Sequence, residues 1–183
     1  INNSKLVCDR LNVPHYTLDF TERFRKSVVD NFADEYFAGR TPNPCVRCNS
    51  LVKWDAFIHQ ADKLGATYIA TGHYANVEHI NGNSLLKKGK DPLKNQAYVL
   101  WGIPSHTLSR TLFPLGNLTK AEVRNIARKN KLETAEIPES MDICFVSDNN
   151  YKRFLKDYAP KKMFQIGEGE IIDESGEVVG THS

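Results

Sequence analysis

The sequence predicts an α/β fold that contains a parallel sheet, and three observations favour this class. Helical and strand-like patterns alternate from residue 5 to residue 71, and the last of them is a short apolar strand at residues 67–71. Residues 105–158 then have helical periodicity, and residues 167–183 alternate as two short strands about a turn that contains Gly176. This order predicts an α/β domain, a small helical domain and the beginning of a β domain.

Composition excludes several functional classes. The 183 residues are 40% hydrophobic and 25% charged, which is typical of proteins that bury a core. No run of 18 apolar residues, signal-peptide pattern or lipidation motif is present, so we expect no membrane association and a cytoplasmic location. Four unevenly spaced cysteines do not suit a secreted disulfide scaffold.

Positive charge is concentrated in the middle of the chain. Residues 87–131 carry ten Lys and Arg but two Asp and Glu, whereas the whole chain has a net charge of +2. This excess indicates a polyanionic partner, with solvated helix faces as the alternative explanation.

The first elements are predicted from periodicity and capping. Residues 5–11 have the pattern of a helix end, and residues 15–20 alternate as a strand. Thr21 is expected to cap a helix that ends at Gly39. The apolar residues of that helix recur every four positions: Phe24, Val28, Phe32 and Tyr36.

A proline-rich segment at residues 39–50 follows this helix. Its two prolines predict a rigid loop that holds Cys45 and Cys48. We expect a helix to follow, with Asn49 or Ser50 as its cap, so that Cys48 lies at a helix N-terminus, where the dipole favours a thiolate. The apolar stripe of that helix is Leu51, Trp54, Phe57, Ile58, Ala61 and Leu64.

Further candidate site residues follow the apolar strand. Gly72 and His73 come directly after it, and ligands gather at the carboxyl ends of parallel strands, although a glycine there is also typical of a simple turn. Residues 77–86 predict a hairpin, and residues 119–130 predict a helix that begins with a capping box. Lys94, Asn95 and Gln96 could contact phosphates and bases, or the two amides could cap a helix.

The pair formed by Cys45 and Cys48 allows three interpretations. A zinc site needs four ligands, and the sequence has no second pair of cysteines or histidines with ligand spacing. A thioredoxin-like dithiol normally follows a strand directly, whereas this pair follows a proline-rich segment and a predicted helix. In the third interpretation one of these thiols works with the distant Cys144 in sulfur transfer or redox chemistry, whereas Cys144 alone could simply be a small buried apolar residue.

Five motifs in order carry a family resemblance. They are Gly39-Arg-Thr-Pro-Asn-Pro-Cys-Val-Arg-Cys-Asn49, Ala70-Thr-Gly-His-Tyr74, Lys94-Asn-Gln96, Phe113-Pro-Leu-Gly116 and Ser140-Met-Asp-Ile-Cys-Phe145. Together they resemble the tRNA-specific 2-thiouridylases, the MnmA/TrmU family. The resemblance implies a PP-loop, Rossmann-like adenine-nucleotide domain at residues 1–104, a central helical tRNA-binding domain at 105–163 and the first hairpin of a C-terminal β-barrel at 164–183.

The resemblance also implies a reaction. ATP, with Mg²⁺, adenylates the 2-oxygen of the wobble uridine of tRNA, and a persulfide sulfur then replaces it. Cys144 would carry the persulfide, and Cys48 would free the sulfur or close a disulfide with Cys144. The implied partners are the anticodon arm of tRNA and a sulfur-relay or cysteine desulfurase protein. A monomer with no bound metal is expected.

Other positions carry over from the family one by one. Asn43, Pro44 and Cys45 match the segment that contacts the target base, Gly72 matches a nucleotide contact, and His73 and residues 94–96 match tRNA contacts. Cys45 replaces an aspartate found in many relatives. The phosphate-binding Ser-Gly-Gly-x-Asp-Ser loop belongs upstream of residue 1, so we expect these 183 residues alone neither to bind ATP tightly nor to thiolate tRNA. A non-catalytic RNA-binding or sulfur-carrier module is the alternative function.

Overall fold

The computed structural model describes residues 2–137 and 143–182, with the side chain of residue 133 left out. It is a mixed α/β structure, as predicted. The chain forms two compact units. The first unit comprises Ile1–Asp30 and Asn43–Ser140, and the second comprises Asn31–Pro42 and Met141–Ser183. The domain boundaries expected near residues 104 and 163 stay predictions.

The helices follow one another along most of the chain, and two π-helical segments interrupt them. The α-helices are α1 (Asn2–Leu11), α2 (Thr21–Phe24), α3 (Asp30–Phe37), α4 (Pro44–Cys48), α5 (Asp55–Lys63), α6 (Ser105–Leu108), α7 (Lys120–Lys129), α8 (Tyr151–Tyr158) and α9 (Pro160–Gln165). The π-helical segments are Arg25–Val29 and Asn49–Trp54, and the 3₁₀ turns are Ala97–Val99 and Glu133–Glu136.

In the part of the chain that the structure describes, the strands form three pairs. They are β1 (Ile69–Ala70), β2 (Ala75–Ile80), β3 (Asn83–Lys88), β4 (Thr111–Leu112), β5 (Gly169–Ile172) and β6 (Val178–His182). β1 and β4 are parallel, with Ile69 opposite Thr111, which confirms that the fold contains parallel strands, although the partner of β1 is the unpredicted β4. β2 pairs with β3 and β5 with β6, both antiparallel. The β2–β3 turn contains Asn81 and Gly82 with φ of 50° and 78°, the left-handed conformation that a two-residue hairpin turn requires.

Trp54 lies at the centre of the first unit's core. Its side chain is fully buried, and its Nε1–H donates to Thr111 Oγ1 at 2.9 Å, which links the helix to β4. The other buried members of this core are Ile58, Ala61, Ile69, Ala75, Val99, Leu100, Ile103, Leu108 and Phe113. The strand pair and the turn at residues 97–103 therefore pack on the helix that follows the cysteines.

The predicted apolar stripe of that helix is only partly correct. Trp54, Ile58 and Ala61 are buried as expected, whereas Leu64 is exposed and Val52 is buried. Val52 lies in the π-helical segment Asn49–Trp54, whose i→i+5 hydrogen bonds change which residues face the core. Leu64 is the C-cap residue of α5 and lies after its last helical turn.

Two local predictions near the start of the chain are wrong. Residues 15–20 form no strand, because no described strand pairs with them. Asp19, not Thr21, provides the side-chain acceptor at the start of α2, since its Oδ1 accepts from the Thr21 N–H at 2.9 Å. Gly39 has φ +74°, as expected of a helix C-terminus, and Thr119 and Glu122 form the predicted capping box.

Aromatic side chains form the core of the second unit. Phe32 contacts Phe145 with ring centroids 5.1 Å apart, and Tyr36 stacks on Tyr151 at 4.7 Å. Ile143 and Phe154 pack against the same cluster. The predicted C-terminal hairpin is present in this unit as β5 and β6. In residues 2–137 and 143–182, no helix combines the length and apolar character needed to cross a membrane.

Candidate functional site

The cysteine segment is the start of a helix, which corrects the predicted rigid loop. Pro44 is the first residue of α4, and Asn43 caps it by accepting from the Val46 N–H at 3.2 Å. Proline is tolerated at that position because the first N–H of a helix has no intrahelical acceptor. Asn49 and Ser50, the predicted caps, lie in the π-helical segment instead.

This correction changes the roles open to the two cysteines. Cys45 lies in the first turn of α4 and is exposed, whereas Cys48 is the last residue of α4 and is half-buried. The helix-dipole argument made for Cys48 therefore applies to Cys45, since the dipole acts mainly within the first turn. All four cysteines are in the thiol form in the structure.

Close contacts join the helix that carries the cysteines to the turn at residues 97–103. The buried Asn49 donates from Nδ2 to the Val99 carbonyl at 3.0 Å. Ser50 Oγ donates to the Val46 carbonyl at 2.9 Å, and Gly102 is so close that an added Cβ would clash with Ser50 Oγ. The backbone of residues 99–102 is thus fixed beside the helix that carries Cys45 and Cys48.

His73 follows β1 and packs into the aromatic part of the core. Its ring centroid is 5.5 Å from that of Trp54 and 6.3 Å from that of Phe113, and its Nδ1 lies 2.9 Å from Thr71 Oγ1. Burial, with the positive charge of Lys53 as a further cause, lowers the pKa of His73 to about 4. His73 is therefore neutral near pH 7 and can offer a hydrogen bond but no positive charge.

Gly72 lies between β1 and His73 and is exposed. A Cβ at this position would meet Leu115 Cδ1 at 3.7 Å, which is an ordinary contact. The protein itself therefore tolerates a side chain here, so any strict need for glycine would come from a ligand that approaches the backbone.

The amides of Asn95 and Gln96 are engaged within the first unit. Gln96 Oε1 accepts from the Tyr74 N–H at 3.0 Å, and the Gln96 N–H donates to the Tyr74 carbonyl at 3.0 Å. Asn95 Oδ1 accepts from the Gly89 and Ala97 N–H groups at 3.3 Å and so binds the first N–H of the 3₁₀ turn at Ala97–Val99, although the N-cap residue of that turn is Gln96, which makes no side-chain cap bond. These oxygen atoms are therefore occupied, and a ligand would meet the NH₂ groups. Lys94 beside them is half-buried.

Cys144 lies in the second unit and is exposed. Its neighbours Ile143 and Phe145 pack on the aromatic cluster, and Val146 is buried. The interpretation of Cys144 as a small buried apolar residue is therefore wrong. Residues 140–142 of its motif lie outside the described residues.

Sequence reasoning missed two features of the first unit. Asn49 was expected to cap a helix, but it is buried and binds the turn at residues 97–103. Tyr98 and Trp101, in the aromatic stretch after Gln96, are exposed. The Tyr-Val-Leu-Trp order was a signal, because two apolar residues between two aromatic residues can bury one face of a short turn and expose the other. Among the described residues, no group of three or more His, Cys, Asp and Glu side chains could hold a metal ion.

The fold and the site together define an α/β domain with a parallel strand pair and with polar residues collected beyond the carboxyl end of β1. In domains of this class, ligands bind at that edge. The model of the family described as the tRNA methyl transferase HUP domain matches residues 1–148, and the chain belongs to that family.

Curated relatives give a consistent name. A protein of Amoebophilus asiaticus named tRNA-specific 2-thiouridylase MnmA is 49% identical over 183 residues, covering 100% of this chain and 49% of the relative. Proteins of the same name from Acidithiobacillus ferrooxidans and Carboxydothermus hydrogenoformans are 49% and 46% identical, again over 100% of this chain and over 51% and 50% of their own length. The chain spans about half the length of these relatives.

Proposed function

We propose that this chain is part of a tRNA-uridine 2-sulfurtransferase that converts the wobble uridine of tRNA to 2-thiouridine. The observation that carries the proposal is the accessibility of both required thiols, exposed at Cys144 and half-buried at Cys48, in a chain 49% identical to a protein named tRNA-specific 2-thiouridylase. Accessibility is required because a thiol sealed in a core cannot accept or transfer sulfur.

ATP, bound with Mg²⁺, would supply the adenylyl group that makes the uridine 2-oxygen a leaving group. Of the residues in this chain, the exposed backbone at Gly72 fits a nucleotide contact, because it lies at the ligand-binding edge of the sheet and has room for close approach. The neutral His73 beside it suits a hydrogen bond to tRNA rather than an ion pair with phosphate.

The thiols act in turn on the activated base. The terminal sulfur of a Cys144 persulfide attacks carbon 2 of the uridine, and AMP leaves with the former 2-oxygen. The Cys48 thiolate then attacks the Cys144 sulfur, which breaks the persulfide S–S bond, leaves the terminal sulfur on the base and forms a Cys48–Cys144 disulfide. A two-electron reductant restores both thiols, and a cysteine desulfurase or sulfur-relay protein reloads Cys144.

The remaining family positions bind tRNA in this proposal. Asn43, Pro44 and Cys45 form the start of α4 and contact the target base. His73, Lys94 and the NH₂ groups of Asn95 and Gln96 contact the surrounding nucleotides. The enzyme acts as a monomer in the cytoplasm.

The test uses a chimera in which these 183 residues replace the matched segment of the Amoebophilus asiaticus relative. With ATP, a cysteine desulfurase and ³⁵S-cysteine, the chimera should form labelled 2-thiouridine. Cys48→Ser and Cys144→Ser should each abolish the label, while tRNA affinity stays within about 2-fold, since these small substitutions remove no phosphate contact.

Cys8→Ser is the matched control, because Cys8 lies in α1 and has no role in the proposal. Full label in either of the other two variants would remove that cysteine from the mechanism. If the chimera binds tRNA and never forms 2-thiouridine, the alternative of an RNA-binding or sulfur-carrier module is favoured.

A further inference from the structure

Two aromatic side chains in the first unit are exposed to an unusual degree. Tyr98 is 66% exposed and Trp101 is 74% exposed, whereas Val99 and Leu100 between them are buried. Large aromatic rings normally contribute to cores or interfaces, so their exposure indicates a binding surface. We call this pair the aromatic ledge.

Backbone hydrogen bonds and burial indicate that the two rings lie on the same side of the chain. Hydrogen bonds from the Leu100 N–H to the Ala97 carbonyl and from the Ile103 N–H to the Leu100 carbonyl, each 3.1 Å, define successive 3₁₀-type turns. In 3₁₀ geometry, residues three apart lie above one another. Tyr98 and Trp101 lie in the two successive turns with this spacing, and both are exposed while Val99 and Leu100 are buried, so their rings can form one apolar surface.

The ledge is fixed beside the helix that carries Cys45 and Cys48. The Asn49–Val99 hydrogen bond and the close approach of Gly102 to Ser50 join the ledge backbone to that helix. A flat ligand stacked on the ledge would therefore lie near the segment proposed to contact the target base.

The charges near the ledge favour an anionic ligand. Lys53 and Lys88 are exposed, and the ion pairs among the described residues of this unit, such as Lys87–Glu78 and Lys90–Glu122, involve neither side chain. The positive charge of Lys53 contributes to the lowered pKa of His73, so Lys53 lies near the residues that follow the carboxyl end of β1. Asp91 is buried and its carboxylate accepts from the N–H groups of Leu93, Lys94 and Lys120, so it adds little negative potential at the surface.

We propose that the aromatic ledge is a stacking platform for unpaired bases of the RNA substrate, in the single-stranded loop next to the modified uridine. Aromatic planes beside cations are typical of surfaces that bind single-stranded RNA, since every base has a π-face and every nucleotide carries a phosphate. The proposal rests on the proposed function for the identity of the RNA.

The first experiment measures binding of an anticodon stem-loop with a wobble uridine to the 183-residue chain. Trp101→Ala and Tyr98→Ala should each weaken binding by about 5- to 150-fold, the usual effect of removing one stacked ring. Trp101→Phe should restore most of the affinity because it keeps a ring. Tyr68→Ala is the matched control, since Tyr68 is 55% exposed in the same unit but lies at the opposite end of β1, and its affinity should be unchanged.

Salt dependence separates stacking from charge. The slope of log Kd against log salt should be the same for Trp101→Ala and the wild type, whereas Lys88→Gln should reduce it by about 0.7, the value for one phosphate contact on a single strand. A reduced slope in Trp101→Ala would overturn the stacking interpretation.

Tryptophan fluorescence gives an independent measurement. The chain has two tryptophans, and Trp54 is fully buried, so acrylamide quenching reports mainly on Trp101. The stem-loop should protect Trp101, and a fully paired duplex of equal length should not. The proposal would be overturned by wild-type affinity in both alanine variants or by an equal loss of RNA affinity in Tyr68→Ala. It would also be overturned if the stem-loop did not protect Trp101 from quenching, or if the folded chain did not bind the stem-loop. If the ledge variants lose RNA affinity but the chimera forms no 2-thiouridine, only the proposed reaction fails.

Discussion

The contact between Gly102 and Ser50 predicts a substitution whose effect changes sign with its background. A Cβ at Gly102 would lie closer than 3.0 Å to Ser50 Oγ, which is too close for a non-bonded contact. The same Cβ would lie 3.5 Å from Ser50 Cβ and 3.6 Å from Val46 Cγ1, which are ordinary contact distances. Only the Ser50 hydroxyl would therefore clash with the added Cβ. The hydroxyl cannot rotate away without losing its hydrogen bond to the Val46 carbonyl.

The expected magnitudes follow from these contacts. The clash and the lost hydrogen bond should cost about 1–3 kcal/mol, whereas replacing glycine with alanine restricts the unfolded chain and contributes about 0.4–1 kcal/mol of stability. Gly102→Ala should therefore lower the free energy of unfolding by up to about 2.6 kcal/mol. In a Ser50→Ala background the same change should be neutral or stabilising.

Urea denaturation of the four proteins, followed by the fluorescence of the buried Trp54, measures this cycle. Gly167→Ala is the control, because an added Cβ there meets nothing within 4 Å. An equal cost of Gly102→Ala in both backgrounds would show that the contact with Ser50 does not determine the packing of the turn on α4.

Three further predictions follow from the first unit. Gly116→Ala should be more destabilising than Gly102→Ala in urea denaturation, because its Cβ would clash with the Ala75 carbonyl, which is backbone. Asn43→Ala should cost about 1 kcal/mol of stability and Asn43→Ser should recover most of it, since only the cap of α4 is lost. As pH falls from 6.5 towards 4, His73 is protonated in the unfolded chain before it is protonated in the folded chain, so the free energy of unfolding should fall by up to about 3 kcal/mol. His73→Gln should remove this part of the pH dependence, which urea denaturation at pH 4.5 and at pH 7 would measure.

The elements that the sequence predicted well depend on neighbouring residues. The hairpin turn at Asn81-Gly82, the left-handed Gly39 and the capping box of α7 each follow from the chemistry of a few adjacent side chains. Such signals are present in the sequence itself, since no distant contact is needed to produce them.

The start of α4 was mispredicted because two rules for proline compete. Proline ends a helix in its interior but is favourable at the first position. The order Asn43-Pro44 was the available signal, since asparagine is a strong N-cap and proline suits the next residue. The π-helical segments were not predictable in the same way, because i→i+5 turns arise from packing and leave no period in the sequence.

The exposure of Cys144 could not be predicted from the sequence either. Its apolar neighbours favour burial of the whole segment when only the sequence is considered. In the fold, Ile143 and Phe145 contact the aromatic cluster around Phe32, whereas the residue between them remains at the surface. The same apolar neighbours that indicated burial therefore anchor the backbone on both sides of an accessible thiol.

The position of Cys45 gives a physical reason why this chain can have a cysteine where the family resemblance implies an aspartate in many relatives. Cys45 is the second residue of α4, where unpaired backbone N–H groups and the helix dipole favour negative charge. A carboxylate and a thiolate are both anions that this site can stabilise, so the substitution keeps the electrostatic preference and changes the chemistry. Because a thiolate is also a nucleophile towards sulfur, whereas an aspartate carboxylate is not, Cys45 gives this helix a thiol chemistry that an aspartate could not supply.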